Sequence, residues 1–279
     1  MLKQRIITAL VLLALFLPAL LTSTAEPLAL LTLVLIAAGA WEWGRLNGLG
    51  MRGALRCAGA CLLMCFLTWA ARWAYEPPTF IWPVVGSLWV LGGAGLLHLG
   101  VERWQRISKA LRLLIGILAL WGTWLALYQA KVMGTNFILS LLFLVWVADV
   151  AAYFSGRAFG RRKLAVHISP GKSWEGVWGG MAAVVVMALI WVWMDKKFAF
   201  ESQSLFAQLN LRGMPFLLVA TVFLVAMSVV GDLVESLVKR SAGMKDSSLL
   251  LPGHGGVLDR VDALLPTLPI ALMLLQPLR

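Results

Sequence analysis

Long apolar runs separated by short polar segments dominate this chain. A membrane-spanning helix needs about 20 mostly apolar residues, and nine runs approach that length. We therefore predict an all-α integral membrane protein with about nine transmembrane helices and no soluble domain. The runs cover residues 5–22, 28–44, 57–74, 79–98, 112–130, 134–154, 176–194, 215–235 and 259–277.

The composition agrees with this prediction. Hydrophobic residues make up 61% of the chain and charged residues 13%, whereas soluble domains carry about 25% charged residues. An ordinary soluble enzyme, a disordered chain and a fibrous repeat are therefore excluded. The net charge of +11 would indicate nucleic acid binding in a soluble protein. In a membrane protein it is typical of cytoplasmic loops, and we expect no nucleic acid partner.

The Lys and Arg residues predict the orientation of the chain. Most of the 24 lie in segments on the same side as the N-terminus, and that side should be cytoplasmic. The first run resembles a signal peptide, but an uncleaved span is favoured because another span follows at once. Polar motifs are concentrated in the second half. We therefore divide the chain into N-terminal transmembrane helices (1–130) and a C-terminal transmembrane catalytic region (131–279), with cytoplasmic loops 155–175 and 236–260.

The three cysteines favour packing over chemistry. Cys57, Cys61 and Cys65 stand at i, i+4 and i+8, which places them on one face of a helix. No His or acid lies nearby to complete a metal site. Small residues at a seam between membrane helices explain the pattern better.

The segment from Gly231 to Asp262 differs from the rest of the chain. Carboxylates at membrane depth are expensive and mark a functional site by default. The alternative is a set of salt bridges between helices with a capping loop. Five of the 13 acids lie in this segment: Asp232, Glu235, Asp246, Asp259 and Asp262.

The spacing of these acids indicates a divalent metal beside phosphate. Asp232 and Glu235 stand at i and i+3, and Asp259 and Asp262 repeat that spacing. Oxygen ligands without thiolates suit Mg²⁺. The glycine-rich basic loop between the two pairs suits phosphate oxygens. Together they predict phosphoryl-transfer chemistry.

A second polar segment begins at Asp149 and continues through a basic stretch to residues 168–176. Its P-G-K-S string is not a P-loop, because the full motif and its βαβ context are absent. Lys172 and Ser173 could still contact phosphate at the start of a helix. The alternative is a basic loop attracted to anionic lipid.

Residues 236–262 resemble the signature of the phosphatidate cytidylyltransferases. The matching string is S-L-V-K-R, four residues, K-D, and then P-G-H-G-G-V-L-D-R-V-D. Three further segments are similar to this family: G-D-L-x-E-S at 231–236, D-x-x-A-Y-x-x-G-R-x-x-G at 149–160 and I-S-P-x-K-S-x-E-G at 168–176. Residues 1–130 resemble the family only in their general apolar character.

This resemblance implies a reaction in which CTP and phosphatidic acid give CDP-diacylglycerol and pyrophosphate for phospholipid biosynthesis. It implies Mg²⁺, with a second metal ion left open, and allows a homodimer. The expected location is a bacterial inner (cell) membrane, with the active site on the cytoplasmic side. The lipid phosphate would be the nucleophile, because a phosphate monoester loses its second proton near pH ~6.

The resemblance also implies roles for individual residues. Asp232 and Asp259 would hold the metal, and they count as catalytic together with Lys239, Arg240 and Asp262. The substrate-binding set that it implies is Asp149, Lys172, Ser173, Ser236, Lys245, Asp246, His254 and Arg260.

Two alternatives remain open at this point. One is a related CTP-dependent transferase or kinase that acts on another membrane lipid. The other is an ion-coupled transporter, which should carry polar residues near the midplane of several helices. Here the charges lie at one end of the spans.

Overall fold

The computed structural model describes residues 2–276. The first eight apolar runs each fall mainly within one helix, and the ninth is divided between two. The ninth run was predicted to end at residue 277, which lies outside the described residues. The helices are α1 (Leu2–Leu21), α2 (Glu26–Leu46), α3 (Met51–Ala70), α4 (Ile81–Trp104), α5 (Lys109–Val132), α6 (Thr135–Phe159), α7 (Trp174–Phe198), α8 (Leu205–Asn210), α9 (Met214–Ser241), α10 (Leu258–Val261) and α11 (Leu264–Leu275).

Within residues 2–276, seven helices are long and apolar enough to cross a membrane, namely α2 to α7 and α9. The protein is thus a multi-pass membrane protein without a soluble domain, but the predicted count of about nine spans is not confirmed. The apolar part of α1 covers Ile6–Leu21. Helix α11 has 12 residues, which extend about 18 Å, whereas the hydrocarbon core is about 30 Å thick.

Helix α11 is short because the ninth run is broken at Asp262 and Ala263, between α10 and α11. Its far end still lies beside the start of α9. The Arg212 guanidinium, two residues before α9, donates to the carbonyls of Leu274 (2.8 Å) and Leu275 (3.0 Å). These carbonyls have no partner inside the helix, so Arg212 caps α11 at the end of the bundle opposite residues 242–257.

A small hairpin departs from the all-α prediction. Strands β1 (Lys163–Ala165) and β2 (Ser169–Ser173) pair antiparallel between α6 and α7. The strands are too short, and too rich in Ser, Gly and Lys, for an alternating pattern to reveal them. The Glu175 carboxylate holds the hairpin by accepting the backbone N–H groups of Arg161 and Arg162. Ser173 caps α7 by accepting the N–H of Gly176 at 3.2 Å.

The interior of the bundle is built mainly from α2, α5, α9 and α11: α2 packs on α5, α5 on α11 and α11 on α9. The three cysteines of α3 are free and buried, and α3 packs against α2 and α5. The interpretation of Cys57, Cys61 and Cys65 as packing residues agrees with this arrangement. Among the described residues, no group of three His, Cys, Asp or Glu side chains forms a metal site.

The order of the helices predicts which loops share a side of the membrane. Single cysteines at Lys163 and Lys245, in a variant with Cys57, Cys61 and Cys65 replaced by alanine, should react with an impermeant thiol reagent from the same face. A cysteine at Lys197, at the far end of α7, should react only from the other face. Labelling in sealed vesicles of both orientations measures this, and reaction of Lys163→Cys and Lys245→Cys from opposite faces would contradict the fold.

Candidate active site

The two motif segments meet at the ion pair between Lys172 and Asp232. Lys172 lies on β2 and Asp232 on α9, and the Lys172 ammonium contacts Oδ2 of Asp232. The other oxygen, Oδ1, accepts the Ser236 hydroxyl at 3.3 Å. About a third of each paired side chain remains exposed (27% and 31%), so both charged groups can be reached by a ligand.

This pair lines a cavity of about 480 Å³ between α6, β2, α7 and α9, a size within the usual range for small-molecule sites. Asp149 and Ser173 also lie on its wall, so the structure brings together Asp149, Lys172, Ser173 and Asp232, four of the residues selected from the sequence.

Glycines allow α6 and α7 to approach each other at this cavity. A Cβ at Gly176 would lie 2.8 Å from the carbonyl oxygen of Ala152, and one at Gly180 would lie 2.9 Å from that of Ala148. Larger residues would separate the two helices. The close packing therefore fixes where Asp149 stands relative to β2.

A second charged cluster surrounds Lys239. Its Nζ atom lies 2.5 Å from Oε2 of Glu235 and 2.5 Å from Oδ1 of Asp259. Glu235 is only 2% exposed, and its Oε1 atom has no hydrogen-bond partner among the described residues. Lys239 thus joins α9 to α10 through Asp259, whereas Glu235 lies one turn away from Lys239 on α9.

The second oxygen of Asp259 holds the loop before α10. Its Oδ2 atom accepts the N–H of Ser247 (2.9 Å), the hydroxyl of Ser247 (2.8 Å) and the N–H of Gly256 (2.8 Å). Burial acts to raise the pKa of Asp259, but the hydrogen bonds from Lys239, Gly256 and Ser247 outweigh it and hold that pKa below its usual range. Asp259 is therefore ionised at neutral pH.

Acidic side chains outnumber ammonium groups in these two clusters. Asp149 and Asp262 each interact electrostatically with Asp232, and Glu235 interacts with Asp259 and Asp262. Two ammonium groups, those of Lys172 and Lys239, are paired with carboxylates here. Five carboxylates share these two ammonium groups: Asp149, Asp232, Glu235, Asp259 and Asp262.

The remaining selected residues lie around the clusters. Arg240 reaches the carbonyls of Ile168 (3.4 Å) and Met244 (3.5 Å), so it links the two motif segments. Arg260 donates to the carbonyl of His254 at 3.1 and 2.7 Å. Lys245 and Asp246 are exposed on the same loop. Nothing in the structure assigns a ligand to these residues, and their roles stay predictions.

Sequence reasoning missed one residue at the site, Glu42 on α2. This carboxylate is completely buried and accepts hydrogen bonds from the segment that carries Asp259: from the hydroxyls of Ser247 and Ser248 and from the N–H groups of Val257 and Leu258. A lone acid within an apolar run was the available signal. This signal is weaker than that of the second half of the chain, where five acids lie within residues 231–262.

The comparisons with known proteins agree with this picture. A model of the cytidylyltransferase family matches residues 3–278. A protein of Pseudomonas aeruginosa called phosphatidate cytidylyltransferase is 37% identical over 99% of this chain and 97% of its own length. A Haemophilus influenzae protein of the same name is 36% identical over 96% of both chains, and a Brucella suis one is 36% identical over 80% of this chain and 68% of its own.

Gly231, directly before Asp232, is where α9 meets the break between α10 and α11. A Cβ at this position would lie 2.3 Å from the carbonyl oxygen of Asp262 and 2.7 Å from the ring of Pro266. We expect Gly231→Ala to lower the free energy of unfolding by about 1–3 kcal/mol, because the backbone of the break must shift.

Gly59 is the matched control. It lies inside α3, and a Cβ there would meet nothing within 4 Å. Gly59→Ala should leave stability unchanged or raise it by up to about 1 kcal/mol. Thermal unfolding in detergent compares the two variants, and equal melting temperatures would contradict the packing at Gly231.

Proposed function

This chain belongs to the cytidylyltransferase family, and on that premise we propose how its site works. The protein is a membrane nucleotidyltransferase, and its reaction is the transfer of the cytidylyl group of CTP to phosphatidic acid, which gives CDP-diacylglycerol and pyrophosphate. We assign the reaction to this site because the Lys172–Asp232 pair joins both motif segments at a cavity between apolar helices.

The lipid phosphate attacks the α-phosphorus of CTP in the proposed mechanism. A phosphate monoester at neutral pH is already largely deprotonated, so no protein group has to remove a proton. The task of the protein is to bring two polyanions together. Lys172 and Lys239 supply positive charge for that purpose, and the apolar helices around the cavity limit the access of water, which strengthens each electrostatic contact.

The residues present fit a magnesium ion. All candidate ligands are carboxylate oxygens, the acids of the two clusters outnumber the lysines, and Oε1 of Glu235 is buried without a hydrogen-bond partner among the described residues. Mg²⁺ in nucleotide enzymes is usually held by one or two carboxylates together with substrate phosphates, so a ready-made cage of three acids is not required. We propose Asp232 and Asp259 as its ligands, and the ion would neutralise the charge that develops on the phosphates.

Asp232 is the better placed of the two. Its carboxylate is partly exposed at the cavity and is paired with one flexible lysine. Asp259 already accepts four hydrogen bonds, one from Lys239 on Oδ1 and three on Oδ2. Its use as a ligand therefore requires Lys239 to turn toward Glu235 or toward a phosphate oxygen.

The position of the site relative to the membrane is also part of the proposal. Lys163 and Lys245 lie at the same end of the bundle as Lys172. By the distribution of Lys and Arg this end faces the cytoplasm, where CTP is found. A bacterial inner membrane is the corresponding location.

The decisive experiment supplies purified protein with CTP, phosphatidic acid and Mg²⁺. CDP-diacylglycerol and pyrophosphate should appear in equal amounts. A polyprenol offered as acceptor tests the related lipid transferases and kinases, and it should give no product. Product from the polyprenol but not from phosphatidic acid would overturn the substrate assignment.

Removal of one carboxylate charge tests the ligand roles. Asp232→Asn and Asp259→Asn should each lower kcat by at least about a hundredfold, because each removes charge that acts on the reacting phosphates. Asp195→Asn is the matched control. Asp195 lies near the far end of α7, where it accepts hydrogen bonds from Asn136 (2.7 Å) and Ser204 (3.1 Å).

Kinetics at saturating Mg²⁺ separate the variants. Asp195→Asn should keep kcat within about twofold per folded molecule, since Asp195 lies at the opposite end of α7 from the site. An Asp232→Asn protein with substantial activity would remove Asp232 from the metal site, and the same holds for Asp259→Asn.

Direct attack by the lipid phosphate also predicts the stereochemistry. One in-line displacement inverts the configuration at the α-phosphorus, and two successive displacements restore it. CTP made chiral at that atom should therefore give inverted product, and no nucleotide should become attached to the protein without lipid. Retention, or a labelled protein from α-labelled CTP, would show a covalent intermediate, with His254 as the leading nucleophile candidate.

A further inference from the structure

Among the described residues, Glu42 is the one acid of the N-terminal helices that contacts the signature segment. It lies on α2, has no exposed surface, and none of the ion pairs found among the described residues includes it. A buried carboxylate without a cation is unfavourable unless hydrogen bonds replace its hydration. The contacts of Glu42 supply that replacement.

Each oxygen of Glu42 accepts one hydroxyl and one backbone N–H. Oε1 accepts the Ser248 hydroxyl (2.5 Å) and the Val257 N–H (2.9 Å). Oε2 accepts the Leu258 N–H (2.8 Å) and shares the single hydroxyl proton of Ser247 (3.2 Å) with Oδ2 of Asp259 (2.8 Å). Both ends of the segment 247–258 are thus attached to one side chain, and its four lone-pair sites are in use.

The same contacts explain the third glycine of the G-H-G-G string, Gly256. A Cβ at Gly256 would lie 2.1 Å from the Ser247 hydroxyl and 2.4 Å from Oε1 of Glu42. Any larger residue would push the segment away from α2. The Gly256 N–H also donates to Asp259 at 2.8 Å, so the close approach to Glu42 and the support of Asp259 occur at the same position.

A continuous chain of contacts runs from Glu42 to α9. The Ser247 hydroxyl lies 3.2 Å from Oε2 of Glu42 and 2.8 Å from Oδ2 of Asp259. Asp259 in turn contacts Lys239 at 2.5 Å, and Lys239 contacts Glu235 at 2.5 Å. No residue of α2 is among those that line the cavity of Asp149, Lys172 and Asp232.

We propose that Glu42 is a positioning residue for the cytidylyl transfer. It holds the segment 247–258 against α2, and through Ser247 it sets the place of Asp259 and Lys239. The inference rests on the proposed function, since those two residues are assigned there to the metal and the phosphates. Glu42 itself touches no reacting atom.

Glu42→Gln is the sharpest test because it keeps the size of the side chain. The NH₂ group of the glutamine would replace one of the two carboxylate oxygens that accept hydrogen bonds. In either orientation of the amide that group faces a backbone donor, the N–H of Val257 or that of Leu258. One of these N–H groups loses its partner, and the segment should open more often.

Two measurements follow the change in the purified protein. Hydrogen exchange at the amides of Ser247 and of residues 256–258 should become at least about tenfold faster, which corresponds to 1.4 kcal/mol. The KM for CTP in the presence of Mg²⁺ should rise at least about fivefold. A merely structural role would reduce the amount of folded enzyme and the apparent kcat while KM stayed constant.

Ser247→Ala provides a second route if Glu42→Gln does not fold. It removes the link between Glu42 and Asp259 but leaves the contacts of Glu42 with Ser248, Val257 and Leu258. It should raise the KM for CTP as well. Where both single variants fold, the increase in the KM for CTP in the double variant should be clearly smaller than the product of the two single increases, since both substitutions act through the same contact.

Thr32→Val is the matched control on α2. Thr32 is buried, and its hydroxyl bonds only to carbonyls of its own helix, those of Leu28 (2.7 Å) and Ala29 (3.1 Å). This variant should leave the loop exchange and the KM unchanged. An equal change in Thr32→Val would overturn the proposal.

The outcomes separate this inference from the proposed function. Unchanged loop exchange, or faster exchange with an unchanged KM, in Glu42→Gln overturns the positioning role and leaves the cytidylyl transfer intact. If wild-type protein makes no CDP-diacylglycerol, the proposed function fails, whatever the loop exchange shows.

Discussion

The structure depends on the pairing of carboxylates that lie at the end of a membrane-embedded bundle. An ionised acid that has left water must be compensated there by a cation or by several hydrogen bonds. Lys239 performs this for Glu235 and Asp259, Lys172 for Asp232, and four donors for Glu42. The Lys239–Glu235 pair lies within α9. The Lys172–Asp232 pair, the Lys239–Asp259 pair and the bonds of Glu42 each join two different segments, so the compensation of charge also fixes how these segments meet.

This pairing assigns distinct tasks to the two halves of the chain. The C-terminal half supplies the cavity between α6, α7 and α9, where the exposed charges of Lys172 and Asp232 meet. The N-terminal half supplies α2, on which the segment before α10 rests through Glu42. The division at residue 130 into N-terminal transmembrane helices and a C-terminal catalytic region stays a prediction, and the contact of Glu42 with residues 247–258 couples the two parts.

The excess of carboxylates over lysines gives the site its chemical character. Five acids surround two paired ammonium groups. Carboxylate oxygens are ligands that suit Mg²⁺, and in the proposed reaction this ion enters together with the phosphates of CTP. The residues present are therefore compatible with the proposed binding of a metal-bound nucleotide.

The sequence alone was sufficient for the membrane character, for the family and for the four residues that meet at the cavity. Apolar runs near 20 residues have few ways to fold other than helices in a membrane, and the motif segments carry their chemistry in contiguous residues. Tertiary structure decided the rest. The break at Asp262 and Ala263, the hairpin at residues 163–173 and the role of Glu42 depend on contacts between residues far apart in the chain. Glu42 and Ser247, for example, are separated by 205 positions, and no local pattern of polarity records such a contact.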